Sequence, residues 1–399
     1  MPWSIRTMLM LALAGALFQL YVAMRAIPAI ALITGLPKTR LRVGASAIIL
    51  YLAVLPLSSL LGYAFGFNTS FQSSSLFDRV FTYPFWIGIA YGVQTFILLV
   101  AIDLVRLFLV LVYRRKKAGW RFVEAWVIAA TVVLAALYVG ARVYTDTFRL
   151  RTVGTEFRVS GLPSGLSELR IVHIADIQVD NRTNGGKLDA YIDTVNKLKP
   201  DLILFSGDAV TSGTSFVEQA AEAMSRLQAR FGTYACLGDH DYFADRKLVA
   251  DQLQVKGIVV LENKSVAVPI NGDSVVITGV TNVYRNNVAL DVVDQLARER
   301  PASEFSILLT HQPSTWLVKL AADRDYNLFL GGHTHGGQIA FLLPGFLLTG
   351  SSFETRYVTG FYDVGSLLVS INNGLGLTLA PIRYQAPAEV TLIVLKGSA

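Results

Sequence analysis

The first 145 residues hold four apolar stretches, each near the length that a bilayer crossing requires, and this constrains the chain more than any other feature. They run over residues 8–23, 43–65, 83–102 and 123–144. The first is short if it stops before Arg25, and longer if it continues past a kink at Pro28 toward Leu36. Only Arg6 precedes it and further spans follow, so a retained helix is expected rather than a cleaved signal peptide.

Charge divides the chain at the same place. Residues 1–145 carry 13 Lys/Arg against 3 Asp/Glu, and residues 146–399 carry 22 against 26. The basic balance of the whole chain therefore belongs to its apolar part. The rest is mildly acidic, and no nucleic-acid partner is expected. Lys38, Arg40 and Arg42 mark the first connection, and Arg114, Arg115, Lys116, Lys117 and Arg121 the third. The second, residues 68–79, holds only Asp78 and Arg79. Positive charge stays cytoplasmic, so four spans predict a multi-pass inner or plasma membrane protein with its C-terminal domain, residues 146–399, extracytoplasmic. Arg142, Arg149 and Arg151 weigh the other way, and an odd number of spans reverses the arrangement. Asp103 and Arg106, three residues apart, are expected to pair at the interface, with an ion path as the functional alternative.

Beyond residue 146 the pattern alternates strands and helices. Apolar runs at 169–175, 202–205 and 233–237 read as buried strands, with amphipathic stretches at 188–198 and 216–230 between them. Each run ends in an acidic residue: Asp176, Asp208 and Asp239, the last followed by His240 and Asp241. A second half follows. Strands are predicted at 259–261, 265–270, 275–280, 305–310, 326–330, 367–371 and 389–395, with Asn271-Gly272 as a hairpin turn. Helices are predicted at 288–298 and 316–322. The fold class is an α-helical four-span membrane region followed by an α/β sandwich of two packed sheets flanked by helices, its site at the carboxyl ends of the strands.

The second half adds His311 after one strand and Gly331-Gly332-His333-Thr334-His335-Gly336-Gly337 after another. A lone His-x-His is weak evidence. In company with the acidic strand ends it supplies hard carboxylates and borderline imidazoles, which suit two ions of Mn, Fe, Zn or a similar metal. Asp208 is the choice for a bridging ligand, since one carboxylate can serve two ions. Blander readings attach elsewhere. Cys236 is a small core residue, and His173 a packed histidine inside its strand. Asp241 either orients His240 or caps a turn. Asp180, Asn181 and Arg182 form a solvated loop or touch substrate. Arg356 and Arg383 are phosphate-binding candidates. The apolar segment 341–348 is a core strand or dips into the outer leaflet.

From residue 169 to 395 the chain resembles the calcineurin-like metallophosphoesterases. The resemblance rests on Asp176-Ile177-Gln178, Gly207-Asp208, Gly238-Asp239-His240-Asp241, His311 and Gly332-His333-Thr334-His335, in that order. Asn373-Gly374-Leu375-Gly376, Pro381 and Arg383 resemble the membrane-associated branch, which includes UDP-diacylglucosamine pyrophosphohydrolases. The resemblance implies a first metal on Asp176, Asp208 and His335, and a second on Asp208, Asp239, His311 and His333. It implies that His240 acts on the phosphate, with Asp241 beside it. Gln178 stands where the family has histidine, and Asp239 where it has asparagine. A neutral amide weakens one site and an added carboxylate strengthens the other, which favours a harder ion such as Mn²⁺. The expected activity is hydrolysis of a phosphodiester, pyrophosphate or monoester by a metal-bound hydroxide, with a lipid-linked substrate suggested by the anchor. The alternative is a degenerate membrane sensor or assembly partner that binds metal and phosphate without turnover.

Overall fold

In the computed structural model, residues 3–66, 75–109, 117–283, 288–303 and 305–398 are described. Residues 68–74 of the second connection, and Arg114, Arg115 and Lys116 of the third, lie outside them. The chain divides into two compact units, Met1–Thr145 and Asp146–Ala399.

The first unit is helical. Trp3–Thr34 runs unbroken through Pro28. Lys38–Leu52 and Val54–Ala64 form a pair bent by 40°. Asp78–Thr82 is a π-helical turn leading into Tyr83–Phe108, and Lys117–Phe148 follows. The stretches Ile5–Thr34, Asp78–Phe108 and Gly119–Phe148 are each long and apolar enough to cross a membrane, and the bent pair passes only when taken together. The expected Asp103–Arg106 pair does not form. Asp103 lies 2.6 Å from Arg25, and Arg106 lies 3.1 Å from Glu124, which also meets Arg25 at 2.8 Å. Partners on other helices win because they place opposite charge inside the bundle, where an apolar surround strengthens the attraction.

The second unit is a four-layer sandwich. One sheet has the order β1-β14-β2-β3-β4-β5, formed by Arg151–Ser160, Glu389–Ser398, Arg170–Ile174, Leu202–Phe205, Thr233–Ala235 and Val259–Val260. The other runs β12-β13-β9-β8-β7-β6, from Gly360–Val364, Leu367–Ile371, Leu328–Gly331, Phe305–Thr310, Asp273–Val280 and Lys264–Ile270. β2 to β5 are parallel, as are β7, β8, β9 and β13. A short hairpin, β10 (Phe341–Leu343) with β11 (Phe346–Leu348), stands apart from both sheets.

The period of two along each strand builds the layers. Ile171, Leu202 and Leu204 meet Ile307, Leu309, Leu328 and Leu330 in the core between the sheets. Their sequence neighbours Val172, Ile203 and Phe205 face the opposite way, onto helices Gly185–Lys197, Val217–Met224 and Asp239–Val255. Leu308 and Phe329 likewise face helices Leu290–Arg298 and Thr315–Asp323. Strands buried on both faces read as unbroken apolar runs, which is why they were legible.

Three details differ from expectation. The helix expected over 188–198 already opens at Gly185. The expected helix 216–230 spans only Val217–Met224. Helix Asp239–Val255, starting at the third acidic strand end, went unforeseen because its segment 242–255 mixes charges through its apolar positions.

Candidate functional site

Five parallel strands end at one cleft. β2, β3 and β4 deliver Asp176, Asp208 and Asp239, and β8 and β9 deliver His311 and His333. The backbone is bent hard there. Asp176, Gln178, Asp208, His333 and His335 all take positive φ, between 50° and 69°. Each costs on the order of 1–3 kcal/mol for a residue with a side chain, so the surrounding packing must hold them. Glycine permits the crowding at two points. A Cβ on Gly238 would lie 2.0 Å from Asp208 Oδ1, and one on Gly332 2.6 Å from Asp176 Oδ2.

The imidazoles are aimed by what holds their far nitrogens. His311 Nδ1 donates to the Ser206 carbonyl at 2.8 Å, which leaves Nε2 facing Asp239 Oδ1 at 2.8 Å and Asp208 Oδ2 at 3.4 Å. His333 places Nε2 at 3.2 Å from Glu354 Oε2, with Gln312 Nε2 at 3.5 Å, and turns Nδ1 to Asp239 Oδ1 at 3.1 Å. The two inward nitrogens are 3.3 Å apart. Backbone carbonyl or carboxylate behind an imidazole, with the second nitrogen turned inward, is how metal-ligating histidines are oriented. His335 Nε2 lies 3.3 Å from Asp176 Oδ1. His240 differs: its Nδ1 is held by the Thr211 carbonyl, and its backbone N–H donates to Asp208 Oδ1 at 2.9 Å.

Negative charge converges on the same space. Burial pushes the Asp176 carboxyl up to about 7, opposed by His311 and reinforced by Asp208. The ordinary preference of burial for neutral imidazole is overcome at His311 by Asp208 and Asp239, and at His333 by Asp239 and Glu354, so both rise. Burial, then Arg383, holds His335 well below its usual range, so it stays neutral. Asp176 Oδ1 and Gln178 Oε1 are buried without a hydrogen-bond partner. Asp239, His311 and His333 bring donor atoms within 4.8 Å of one another, and so do Asp176, Asp208 and His311. Unpartnered buried oxygens, crowded carboxylates and converging imidazole nitrogens together fit divalent cations. Gln178 enters this space as a donor, its Nε2 2.7 Å from Asp208 Oδ2.

Several sequence candidates sit elsewhere. Asp241 is buried, and its carboxylate accepts from the N–H groups of Asp208 at 2.9 Å, Ala209 at 2.8 Å and Gly238 at 3.0 Å. It builds the turn under Asp208 rather than orienting His240. His173 is buried against Ser206 Oγ at 2.9 Å, and desolvation pushes it down to about 3. Asp180 organises its own loop by accepting from Arg182 N and Thr183 N. Arg356 lies over the Tyr357 ring, 4.7 Å from its centroid. Arg383, a phosphate candidate by sequence, is fully buried and donates to the carbonyls of His335, Gly374, Gly376 and Ala386. Its work is to tie the His335 turn to the 374–376 loop.

Glu354 was missed. It follows the His333 turn by some twenty residues in irregular chain, where no periodicity marks it. Removing a carboxylate behind a ligating histidine typically costs 10–100-fold in metal affinity. Glu354→Gln is therefore expected to weaken divalent-metal binding by about that factor, measured by titration calorimetry. Unchanged affinity would show that His333 is oriented without it.

The family described as calcineurin-like phosphoesterase matches residues 169–337. An uncharacterized metallophosphoesterase of Bacillus subtilis (strain 168) is 30% identical over 275 residues, 68% of this chain and 94% of that protein. A transmembrane protein with metallophosphoesterase domain from Danio rerio is 31% identical over 260 residues, 62% of this chain and 57% of that one. An uncharacterized metallophosphoesterase of Campylobacter jejuni is 27% identical over 306 residues, covering 76% and 78%. The αββα sandwich with its cleft of aspartates and histidines defines a metal-dependent phosphoesterase. The chain belongs to the calcineurin-like metallophosphoesterase family.

Proposed function

We propose that residues 146–399 hydrolyse a phosphoester next to a membrane, and that residues 1–145 are the anchor. The observation that carries this is the pair of inward nitrogens, His311 Nε2 and His333 Nδ1, turned onto Asp239 while their other nitrogens are held from behind. Asp176, Asp208, His335 and the Gln178 amide oxygen would hold one cation, and Asp208, Asp239, His311 and His333 a second. Such ions supply Lewis-acid polarisation of a phosphoryl group and acidify water. Mn²⁺ is favoured, because the added Asp239 carboxylate and the Gln178 amide make the ligand set harder than one richer in imidazole.

The chain's own groups then have defined tasks. His240 donates from Nδ1 to the Thr211 carbonyl, and Asp208 and Asp239 overcome burial to raise it, so as an imidazolium it would give its Nε2 proton to a leaving oxygen. Its anchor to Asp208 through the backbone keeps it beside the carboxylate at the centre of the site. Asp241 holds the turn that presents Asp208. The substrate proposed is a phosphodiester, pyrophosphate or monoester at the bilayer surface, including lipid-linked ones. With the bent pair counted as a fourth span, the basic connections on the cytoplasmic side put the domain outside.

The test uses full-length protein in detergent, stripped with chelator and titrated with Mn²⁺. Phosphodiester turnover is expected to vanish on stripping and return with metal. At 100 times the dissociation constant, binding adds about 2.7 kcal/mol, or roughly 5–10 °C in the thermal midpoint for a domain of this size. No bound metal and no turnover on phosphodiester, monoester or lipid pyrophosphate would end this reading.

A second reading has its own observation: the Gln178 amide donates into Asp208 and occupies one of its oxygens. On that reading the domain binds a phosphorylated ligand without cleaving it. The double variant Gln178→His with Asp239→Asn separates the two. It changes metal preference if the parent is active, and creates turnover if the parent is a sensor.

A further inference from the structure

Segment 341–348 reads Phe-Leu-Leu-Pro-Gly-Phe-Leu-Leu, eight residues with no polar side chain. A hairpin on a water-facing surface ordinarily keeps one polar face. Here Leu342 pairs with Leu347 and Leu343 with Phe346, and Leu342 is 75% and Phe346 57% exposed. The base of the hairpin is anchored, since Phe341 is buried against Tyr384 with ring centroids 5.4 Å apart. The hairpin starts four residues after the His335–Gly337 turn. Phe353, 86% exposed, precedes the Glu354 that meets His333, so a further exposed aromatic stands next to the site.

What covers this surface follows from what it is fastened to. The last turn of helix Lys117–Phe148 ends the apolar stretch Gly119–Phe148. In that turn Asp146 Oδ2 accepts from Gln385 N at 2.7 Å, and Gln385 Oε1 accepts from Leu342 N at 3.0 Å. Thr147 Oγ1 accepts from Arg383 N at 2.9 Å. Two hydrogen bonds through one residue therefore join the end of an apolar helix to the exposed hairpin. Thirty residues rise about 45 Å, the thickness of a bilayer with its headgroup layers, so that turn lies at headgroup level. Phe148, 60% exposed, is a further exposed aromatic on the same turn.

We infer that hairpin 341–348, with Phe346 at its tip, inserts into the leaflet beside the end of helix Lys117–Phe148 and holds the cleft at headgroup depth. The occupant is lipid. The inference rests on reading Gly119–Phe148 as a bilayer span and is independent of whether the site turns over. Its consequence is that phosphoesters lying in the headgroup layer reach the cleft without leaving the membrane.

The test places a nitroxide on the full chain in phosphatidylcholine nanodiscs, through Leu342→Cys or Phe346→Cys. Both side chains are exposed, so neither substitution removes packing, and the native Cys236 is buried. Val255→Cys, on an exposed helix end of the same unit, is the aqueous control. Labels at 342 and 346 are expected to collide with oxygen and be shielded from a water-soluble nickel chelate several-fold relative to 255. The same accessibility as 255 overturns the inference. So does shielding from both reagents, which would assign the hairpin to a protein partner. Protein that fails to stay in the nanodisc would defeat the span reading itself, a result distinct from either.

Discussion

Asp208→Asn is expected to lower phosphoester turnover about a thousand-fold or more, with the metal content of the purified protein reduced. Asp208 Oδ1 accepts the His240 N–H at 2.9 Å, and Oδ2 lies 2.7 Å from Gln178 Nε2 and 3.4 Å from His311 Nε2. It is the carboxylate around which the others are arranged. Asparagine has nearly the same shape but no charge, and a neutral amide serves two cations poorly. Losing several kcal/mol of cation-derived stabilisation corresponds to about a 10³-fold fall in rate. The same change should leave the metal-free protein no less stable. Crowding is relieved there, because Asp208 helps raise the buried Asp176 carboxyl, itself driven up to about 7 mainly by desolvation. Rate and metal-free thermal midpoint should thus move in opposite directions or only the rate should fall. Turnover within about tenfold of the parent would place the chemistry away from Asp208.

Arg383→Lys is expected to destabilise the second unit by about 3–5 kcal/mol, the cost of breaking a buried charged network. The guanidinium donates to four carbonyls, at 3.3 Å to His335, 3.1 Å to Gly374, 2.7 Å to Gly376 and 2.9 Å to Ala386. It is fully buried, and desolvation lowers it to about 10, so it remains charged at neutral pH. Lysine has three donors on a flexible stem and cannot reproduce a planar fork. Carbonyls on opposite sides of the group would then be left in the dry interior. A denaturation midpoint equal to that of the parent would show that these bonds are not needed. By sequence the position is a phosphate-binding candidate, because its charge suits an anion. Sequence carries no information on which way a long side chain points.

Other parts were legible to different degrees, for identifiable reasons. β8 and β13 match their expected limits, Phe305–Thr310 and Leu367–Ile371, because strands packed on both faces leave uninterrupted apolar runs. The Asn271-Gly272 hairpin was readable because both residues take positive φ, 51° and 95°, as those two residue types do most readily. Helix Asp239–Val255 was not readable, since its buried side is formed by a few residues such as Val249, Ala250 and Leu253 among charges. Hairpin 341–348 left core strand and leaflet contact open. Its apolar letters are the same in both cases, and only exposure distinguishes them.

The order of acidic and histidine strand ends, carried by local patterns of a few residues, was enough to mark a two-metal site and a resemblance to the metallophosphoesterases. Uninterrupted apolar runs pointed to the two-sheet architecture in the same way, because strands buried on both faces are apolar residue by residue. Tertiary structure decided what depends on partners far apart in the chain. It put Glu354 behind His333, Asp241 beneath Asp208 and Arg383 among carbonyls, and it joined the end of an apolar helix to the exposed hairpin through Gln385. Those outcomes rest on the direction of side chains across the fold, a quantity that no spacing along the chain encodes.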